Sequence, residues 1–175
     1  GNYQFFTDEM NQVLMKRQSI EADLRIALER QQFVLHYQPQ LDLNSGNLMG
    51  VEALVRWQHP TRGLVPPAEF ISVTEDMGLI VPLGNWVLRE ACKQLKQWQE
   101  EGLSGIRMSV NLSALQFLDK GLAGHIQSVL EETGLDAGCL DLEVTESMSM
   151  ASPADTIAIM QGLAELGMSL SIDDF

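Results

Sequence analysis

The chain has 175 residues, a formal net charge of −13 and two cysteines, which suits one acidic globular domain. The charge argues against binding to nucleic-acid polymers, which requires a basic surface. No run approaches the roughly 20 apolar residues that span a bilayer, so we expect no membrane segment in this chain. Cys92 and Cys139 cannot form a disulfide framework, and we expect reduced thiols in a cytoplasmic protein.

The first segment reads as helix, because apolar residues recur at helical spacing over residues 8–31. Its first part resembles a connector arriving from another domain. We therefore expect residues 1–19 to be a connector helix and residues 20–175 to be the domain itself, within a longer protein. Two strand-like segments, 33–43 and 48–57, then flank an Asn-Ser-Gly-Asn turn and predict a β-hairpin.

Helices and strands alternate after the hairpin. The predicted strands cover residues 106–112, 140–144 and 168–174, and a capping box of Ser113 and Gln116 opens one of the helices. This alternation favours a parallel sheet with helical crossovers. A TIM-like (β/α)8 barrel with an antiparallel first strand fits, but it typically needs about 250 residues. We therefore expect its C-terminal part to lie outside this chain.

Four of the strands carry one apolar and one polar face, because successive side chains of a strand point to opposite sides. The apolar faces suit packing against helices. The polar faces are formed by Glu52, Leu54 and Arg56; Arg107, Ser109 and Asn111; Asp141, Glu143 and Thr145; and Ser169, Ser171 and Asp173. Glu52, Asn111, Glu143 and Asp173 would thus point into one interior, with Asp174 beside them.

Several carboxylates in one interior raise each other's pKa or require a cation. Oxygen ligands of this kind suit Mg²⁺, Mn²⁺ or Ca²⁺ rather than zinc. Adjacent Asp173 and Asp174 would let one carboxylate bridge two metals about 3.5–4 Å apart. Two alternatives remain open from the pattern: ion pairs of these acids with Arg56 and Arg107 and no metal, or a glycosidase that uses two of the carboxylates.

Short motifs surround these acids over residues 20–175. They are Tyr37-Gln38-Pro39, Val51-Glu52-Ala53-Leu54-Val55-Arg56-Trp57, His59-Pro60, Pro66-Pro67-Ala68-Glu69-Phe70-Ile71, Val110-Asn111-Leu112-Ser113, Glu143-Val144-Thr145-Glu146 and Ile172-Asp173-Asp174-Phe175. In their order and spacing they resemble the EAL-domain family of cyclic di-GMP phosphodiesterases.

The resemblance implies hydrolysis of cyclic di-GMP to linear pGpG with Mg²⁺ or Mn²⁺ at a two-metal site. Each role is carried over to a matching position of this sequence. Glu52, Asn111, Glu143 and Asp173 would bind the first metal, Asp173 and Asp174 the second, Gln38, Leu54 and Arg56 the substrate, and Glu146 would hold the loop after Asp174. Glu52, Asp173 and Asp174 are the catalytic candidates.

The same resemblance implies partners and missing parts. An upstream diguanylate cyclase (GGDEF) or sensor domain and a homodimer are expected from the family. The family also has a Gly-rich loop, a lysine near the attacking water, a further metal-binding glutamate and a distal glutamine, which we expect beyond Phe175. The rival hypothesis is a receptor that binds cyclic di-GMP without hydrolysing it.

Overall fold

The computed structural model describes residues 8–145 and 153–173. The helices are α1 (Asp8–Ala27), α2 (Ile71–Asp76), α3 (Ile80–Glu100), α4 (Ala114–Phe117), α5 (Leu122–Thr133) and α6 (Pro153–Glu165). The strands are β1 (Phe33–Leu41), β2 (Leu48–His59), β3 (Gly63–Val65), β4 (Arg107–Asn111), β5 (Leu140–Thr145) and β6 (Ser169–Asp173). No helix among these residues is long and apolar enough to cross a membrane.

The described strands form one mixed sheet in the order β1-β2-β4-β5-β6, with β3 paired to the end of β2. β2, β4, β5 and β6 are parallel neighbours, and β3 is antiparallel to β2. A tight turn joins β1 to β2, in which the Asp42 N–H donates to the Asn47 carbonyl at 2.9 Å. The parallel strands therefore present their carboxyl ends at one edge of the sheet.

Two compact units make up the chain: residues 1–34 with 56–79, and residues 35–55 with 80–175. The core of the first unit is aromatic. Trp57 and Phe70 are fully buried with ring centroids 5.8 Å apart, and Phe33 lies 5.7 Å from Phe70. The Trp57 indole N–H also donates to Gln32 Oε1 at 3.1 Å. The indole is thus packed on its faces and hydrogen-bonded at its polar edge.

The second unit buries the apolar faces of its central strands. Met108 on β4 and Leu142 on β5 are fully buried, as are Leu95 on α3 and Ile126 on α5. Along β4 and β5 the apolar side chains alternate with polar ones, as the two-residue repeat of a strand predicts. The other face of β2, β4 and β5 carries the predicted site residues.

The structure differs from the sequence prediction at two points. The helix predicted after Ser113 is interrupted between α4 and α5, where Asp119 Oδ1 accepts the Gly121 N–H at 2.9 Å. The Asp119 carbonyl also accepts the Leu122 N–H at 3.0 Å, immediately where α5 begins. Within the described ranges, the short strand β3 brings the strand number to six rather than the five predicted.

His59, at the end of β2, has a structural role. Its Nδ1 lies 3.2 Å from the backbone N–H groups of Thr61 and Arg62, so this nitrogen must accept. The hydrogen is therefore on Nε2, which donates to Asp23 Oδ2 at 3.0 Å. The ring ties the turn after β2 to α1 within the first unit.

The two thiols differ in exposure. Cys92 on α3 is buried, and burial raises its pKa from 9.0 to about 12, whereas Cys139 is half-buried and accepts from Gln99 Nε2 at 3.5 Å. At pH 8, Cys92 should carry on the order of a thousandfold less thiolate than a cysteine of pKa about 8.5. We expect iodoacetamide to modify Cys139 and spare Cys92 in the folded protein, as peptide mass spectrometry would show. Equal labelling of both thiols before unfolding would contradict the burial of Cys92.

The same shift predicts how stability depends on pH. The unfolded chain gives up the Cys92 proton near pH 9.0, while the folded chain holds it to about 12. The contribution is therefore complete below pH 9.0 and is lost as the pH rises toward 12. Urea midpoints measured from pH 8 upward should fall less in Cys92→Ala than in the unsubstituted protein.

Candidate active site

Glu52 and Asn111 lie on neighbouring parallel strands. β2 pairs with β4 so that Glu52 is opposite Ser109, which places Asn111 one side-chain step further along β4. Asn111 Nδ2 donates to Glu52 Oε1 at 2.7 Å. This bond orients the carboxylate and does not use the amide oxygen of Asn111. Asn111 is exposed and Glu52 half-buried, so solvent reaches both.

Glu143 on β5 adds the next member of the group. It is the register partner of Asn111, and the Leu112 N–H donates to the Glu143 carbonyl at 2.9 Å. Its residue is only 8% exposed. Neighbouring strands lie about 4.8 Å apart and Glu143 is two residues further along in register, so the backbones of Glu52 and Glu143 are separated by roughly 12 Å. Side chains of this length can converge on the space between them.

The structure describes less of the remaining predicted site residues. Asp173 ends β6 and is the register partner of Thr145, which places its backbone at the same edge of the sheet. Its side chain, and Asp174 and Glu146 entirely, lie outside the described residues. The structure therefore places Glu52, Asn111 and Glu143 on neighbouring strands, and the metal-binding role of every residue in the predicted set stays a prediction.

Gln38 belongs to the same face of the sheet as these ligands. Its neighbour Tyr37 packs edge-on against Trp98 of α3, with ring centroids 4.8 Å apart. Burial and the charge of Glu90 raise the pKa of Tyr37 to about 12. Because side chains alternate along a strand, Gln38 lies on the face opposite the helix, and it is exposed.

Leu54 and Arg56 continue the face of β2 that carries Glu52. Both are half-buried and follow it at two-residue spacing. Arg107, by contrast, is exposed and lies four residues before Asn111 at the other end of β4, about 13 Å away along the strand. Glu52 is nearer, two residues beyond Arg107 in the pairing of β2 with β4, but among the described residues no ion pair joins Arg107 to Glu52 or Glu143.

A second polar contact lies nearer the amino end of β4 than Asn111, and the sequence did not predict it. Gln40 on β1 donates to Ser109 Oγ on β4 at 3.4 Å, although β2 runs between the two strands. Gly50 makes this crossing possible, since a Cβ there would lie 3.0 Å from Gln40 Oε1. A glycine inside a strand pattern signals such a close approach, and this was the available clue.

The chemistry of the described side chains fits a hard divalent cation. Two carboxylates and an amide oxygen on one face of neighbouring strands form the kind of oxygen set that Mg²⁺ and Mn²⁺ prefer. One level below, Asp141 Oδ2 accepts from Ser171 Oγ at 2.7 Å, while Asp141 Oδ1 is buried without a partner in the described chain. The described residues contain no cluster of three carboxylate, imidazole or thiol ligands. Only Glu52 and Glu143 of the predicted carboxylates have described side chains.

Comparison with known proteins identifies the family. The family model for the EAL domain matches residues 21–175. The chain belongs to the EAL-domain family. Over 175 residues it is 44% identical to the bifunctional diguanylate cyclase/cyclic di-GMP phosphodiesterase MucR of Pseudomonas aeruginosa, and 39% identical to the cyclic di-GMP phosphodiesterase PdeR of Escherichia coli. All of this chain is covered in both alignments, but it spans only 26% of each relative.

Solved EAL domains share the fold. The structure of the MucR phosphodiesterase in complex with c-di-GMP matches with a TM-score of 0.87 and 45% identity, covering 90% of this chain and 64% of that one. The FimX EAL domain from Pseudomonas aeruginosa bound to c-di-GMP matches with a TM-score of 0.80 and 28% identity, covering 89% and 62%. These matches confirm the TIM-like α/β fold expected from the sequence, because the solved EAL domains that the chain matches are TIM-like barrels and the chain covers part of that fold.

Proposed function

We propose that this EAL domain hydrolyses cyclic di-GMP to linear pGpG with a divalent metal. The observation that carries the proposal is that Glu52, Asn111 and Glu143 lie on one face of three neighbouring parallel strands, with Asn111 bonded to Glu52 at 2.7 Å. The names of MucR and PdeR, both cyclic di-GMP phosphodiesterases, support the same reaction. A glycosidase needs only two carboxylates and no amide ligand, so the donor set does not favour it.

Each described side chain has a task in this reaction. Glu52 and Glu143 supply negative oxygen ligands, and the Asn111 amide fixes the Glu52 carboxylate in direction. Gln38 and Leu54 would contact the nucleotide from β1 and β2. Arg56 would contribute a positive charge for a phosphate, since a guanidinium recognises phosphate oxygens with two parallel hydrogen bonds.

The metals proposed are Mg²⁺ or Mn²⁺, with Asp173 and Asp174 reaching a second ion. Such cations neutralise phosphodiester oxygens and activate the attacking water. They would also offset the electrostatic repulsion between a protein of net charge −13 and an anionic dinucleotide. Carboxylates that hold cations turn the acidic edge of the sheet into an attractive surface for that substrate.

The test is product analysis with the purified protein. We expect pGpG to form with Mg²⁺ or Mn²⁺. No pGpG should form when EDTA is present, because EDTA removes the cation and no side chain of the site can replace it. Chromatography of the reaction mixture, with metal added back after EDTA, provides the measurement and its control. Binding of cyclic di-GMP with no turnover in any metal would instead favour the receptor.

The organisation of the whole protein is also a proposal. We infer that residues 1–19 connect an upstream GGDEF or sensor domain to the EAL domain of residues 20–175, and that the protein is a homodimer in the cytoplasm. Support for the upstream domain comes from the bifunctional name of MucR and from the small share of its length that this chain spans. In the structure one continuous helix, α1, runs across residue 20.

A further inference from the structure

Asn111 is followed directly by a hydrogen-bonded cap. Ser113 begins α4, and its Oγ accepts the Gln116 N–H at 3.3 Å. Gln116 Oε1 accepts both the Ser113 N–H at 3.3 Å and the Ser113 hydroxyl at 3.0 Å. The Gln116 residue is only 4% exposed. These bonds fix the backbone two residues beyond the candidate ligand.

Gly84 of α3 provides the space that this cap occupies. A Cβ at Gly84 would lie 1.8 Å from Gln116 Nε2 and 2.3 Å from its Cδ, far inside van der Waals contact. Gly84 is buried in the second turn of α3, and a glycine inside a helix costs about 1 kcal/mol relative to alanine. Its backbone is not in the left-handed region, so the close approach of Gln116 is what excludes a side chain.

We propose that Gly84 and Gln116 are positioning residues for Asn111, acting through the Ser113 cap. The inference deepens the proposed function, because it assumes that the Asn111 oxygen is a metal ligand. The segment 111–113 is held on one side by the Leu112 bond to Glu143 and on the other by Gln116. With both bonds in place, Asn111 keeps the direction that gives its 2.7 Å contact to Glu52.

Metal affinity depends strongly on the groups that hold a metal ligand in position. Groups that orient metal ligands without touching the metal typically change metal affinity by about 10–100-fold when they are replaced. Gln116 acts one step further away, through Ser113, so we expect a loss of about tenfold, at the lower end of that range. A purely structural role for Gln116 would lower the melting temperature and leave the metal affinity unchanged.

The first test compares Gly84→Ala with Gly124→Ala. Both are glycine-to-alanine changes inside helices of the second unit, but a Cβ at Gly124 would meet nothing within 4 Å. In metal-free protein we expect Gly84→Ala to speed amide exchange of Ser113 and to shift the side-chain amide resonance of Asn111. Mn²⁺ binding, followed by electron paramagnetic resonance of the free ion, should weaken about tenfold. Gly124→Ala should match the unsubstituted protein in all three.

A second variant guards against failure of Gly84→Ala to fold. Gln116→Met keeps the volume and removes the acceptor, so it should reproduce the Ser113 exchange and the weaker Mn²⁺ binding. Unchanged Mn²⁺ affinity despite faster Ser113 exchange would overturn the inference, as would variants indistinguishable from Gly124→Ala. The function is judged separately: absence of pGpG from the unsubstituted protein counts against the phosphodiesterase, while the metal-free resonances of Asn111 still decide the positioning.

Discussion

Glu52→Gln should reduce hydrolysis of cyclic di-GMP by at least about a hundredfold, the scale of losing one preorganised electrostatic group. In the unsubstituted protein Asn111 Nδ2 donates to Glu52 at 2.7 Å. Glutamine keeps the length of the side chain and an oxygen that can still accept this hydrogen bond. What it removes is a negative charge, which strengthens the binding of a hard divalent cation by oxygen ligands. The measurement is the initial rate of pGpG formation over a range of Mn²⁺ concentrations.

The matched control is Glu131→Gln on α5. Glu131 is exposed, and its Oε1 accepts only a neighbouring Gln127 amide at 2.9 Å among the described contacts. The variant loses the same charge from the same unit and should retain the full rate. If Glu52→Gln kept more than about a tenth of the rate, an essential ligand role for this carboxylate would be wrong.

Phe70→Ala should lower the free energy of unfolding by about 3–5 kcal/mol, the usual cost of removing a buried aromatic ring. Phe70 is 0% exposed, and its ring contacts both Phe33 and Trp57. The cavity would be lined by rings whose backbones belong to strands, so it cannot close easily. Urea unfolding followed by tryptophan fluorescence reports the change, because Trp57 belongs to the same cluster.

Leu64→Ala on β3 serves as the comparison in the same unit. Leu64 is 49% exposed and should cost less than about 1 kcal/mol, as most surface substitutions do. A loss for Phe70→Ala no larger than that for Leu64→Ala would mean that the aromatic cluster does not stabilise the first unit. The prediction concerns folding alone and assigns Phe70 no part in catalysis.

The order of helices and strands could be predicted because the hydrophobic repeat changes from 3.6 to 2 residues between elements. The break between α4 and α5 could not, since Leu115, Leu118 and Leu122 keep helical spacing across it. The interruption comes from the Asp119 carboxylate, which bonds the Gly121 N–H within the segment itself. β3 was missed because three residues are too few to show an alternating pattern.

Part of the candidate site was accessible to the same reasoning. Alternation along β2, β4 and β5 was enough to place Glu52, Asn111 and Glu143 on one face. The partners of Gly50 and Gly84 were not accessible, because each is a glutamine arriving from a different element. A glycine inside a strand signals a close approach, but it does not identify the group that makes the approach.

Because side chains alternate along β2, a conservative substitution in this strand has a much smaller effect on the protein than an insertion or deletion there. Gly50, Glu52 and Leu54 share one face, and Val51 and Ala53 are buried on the other. Exchange of one apolar residue for another leaves every acid where it is. Loss of a single residue from the strand turns the following residues to the opposite side and sends an acid into the core. Insertions and deletions accumulated by descendants of this gene should therefore collect in the turn between β1 and β2, and point substitutions should be spread along the strand.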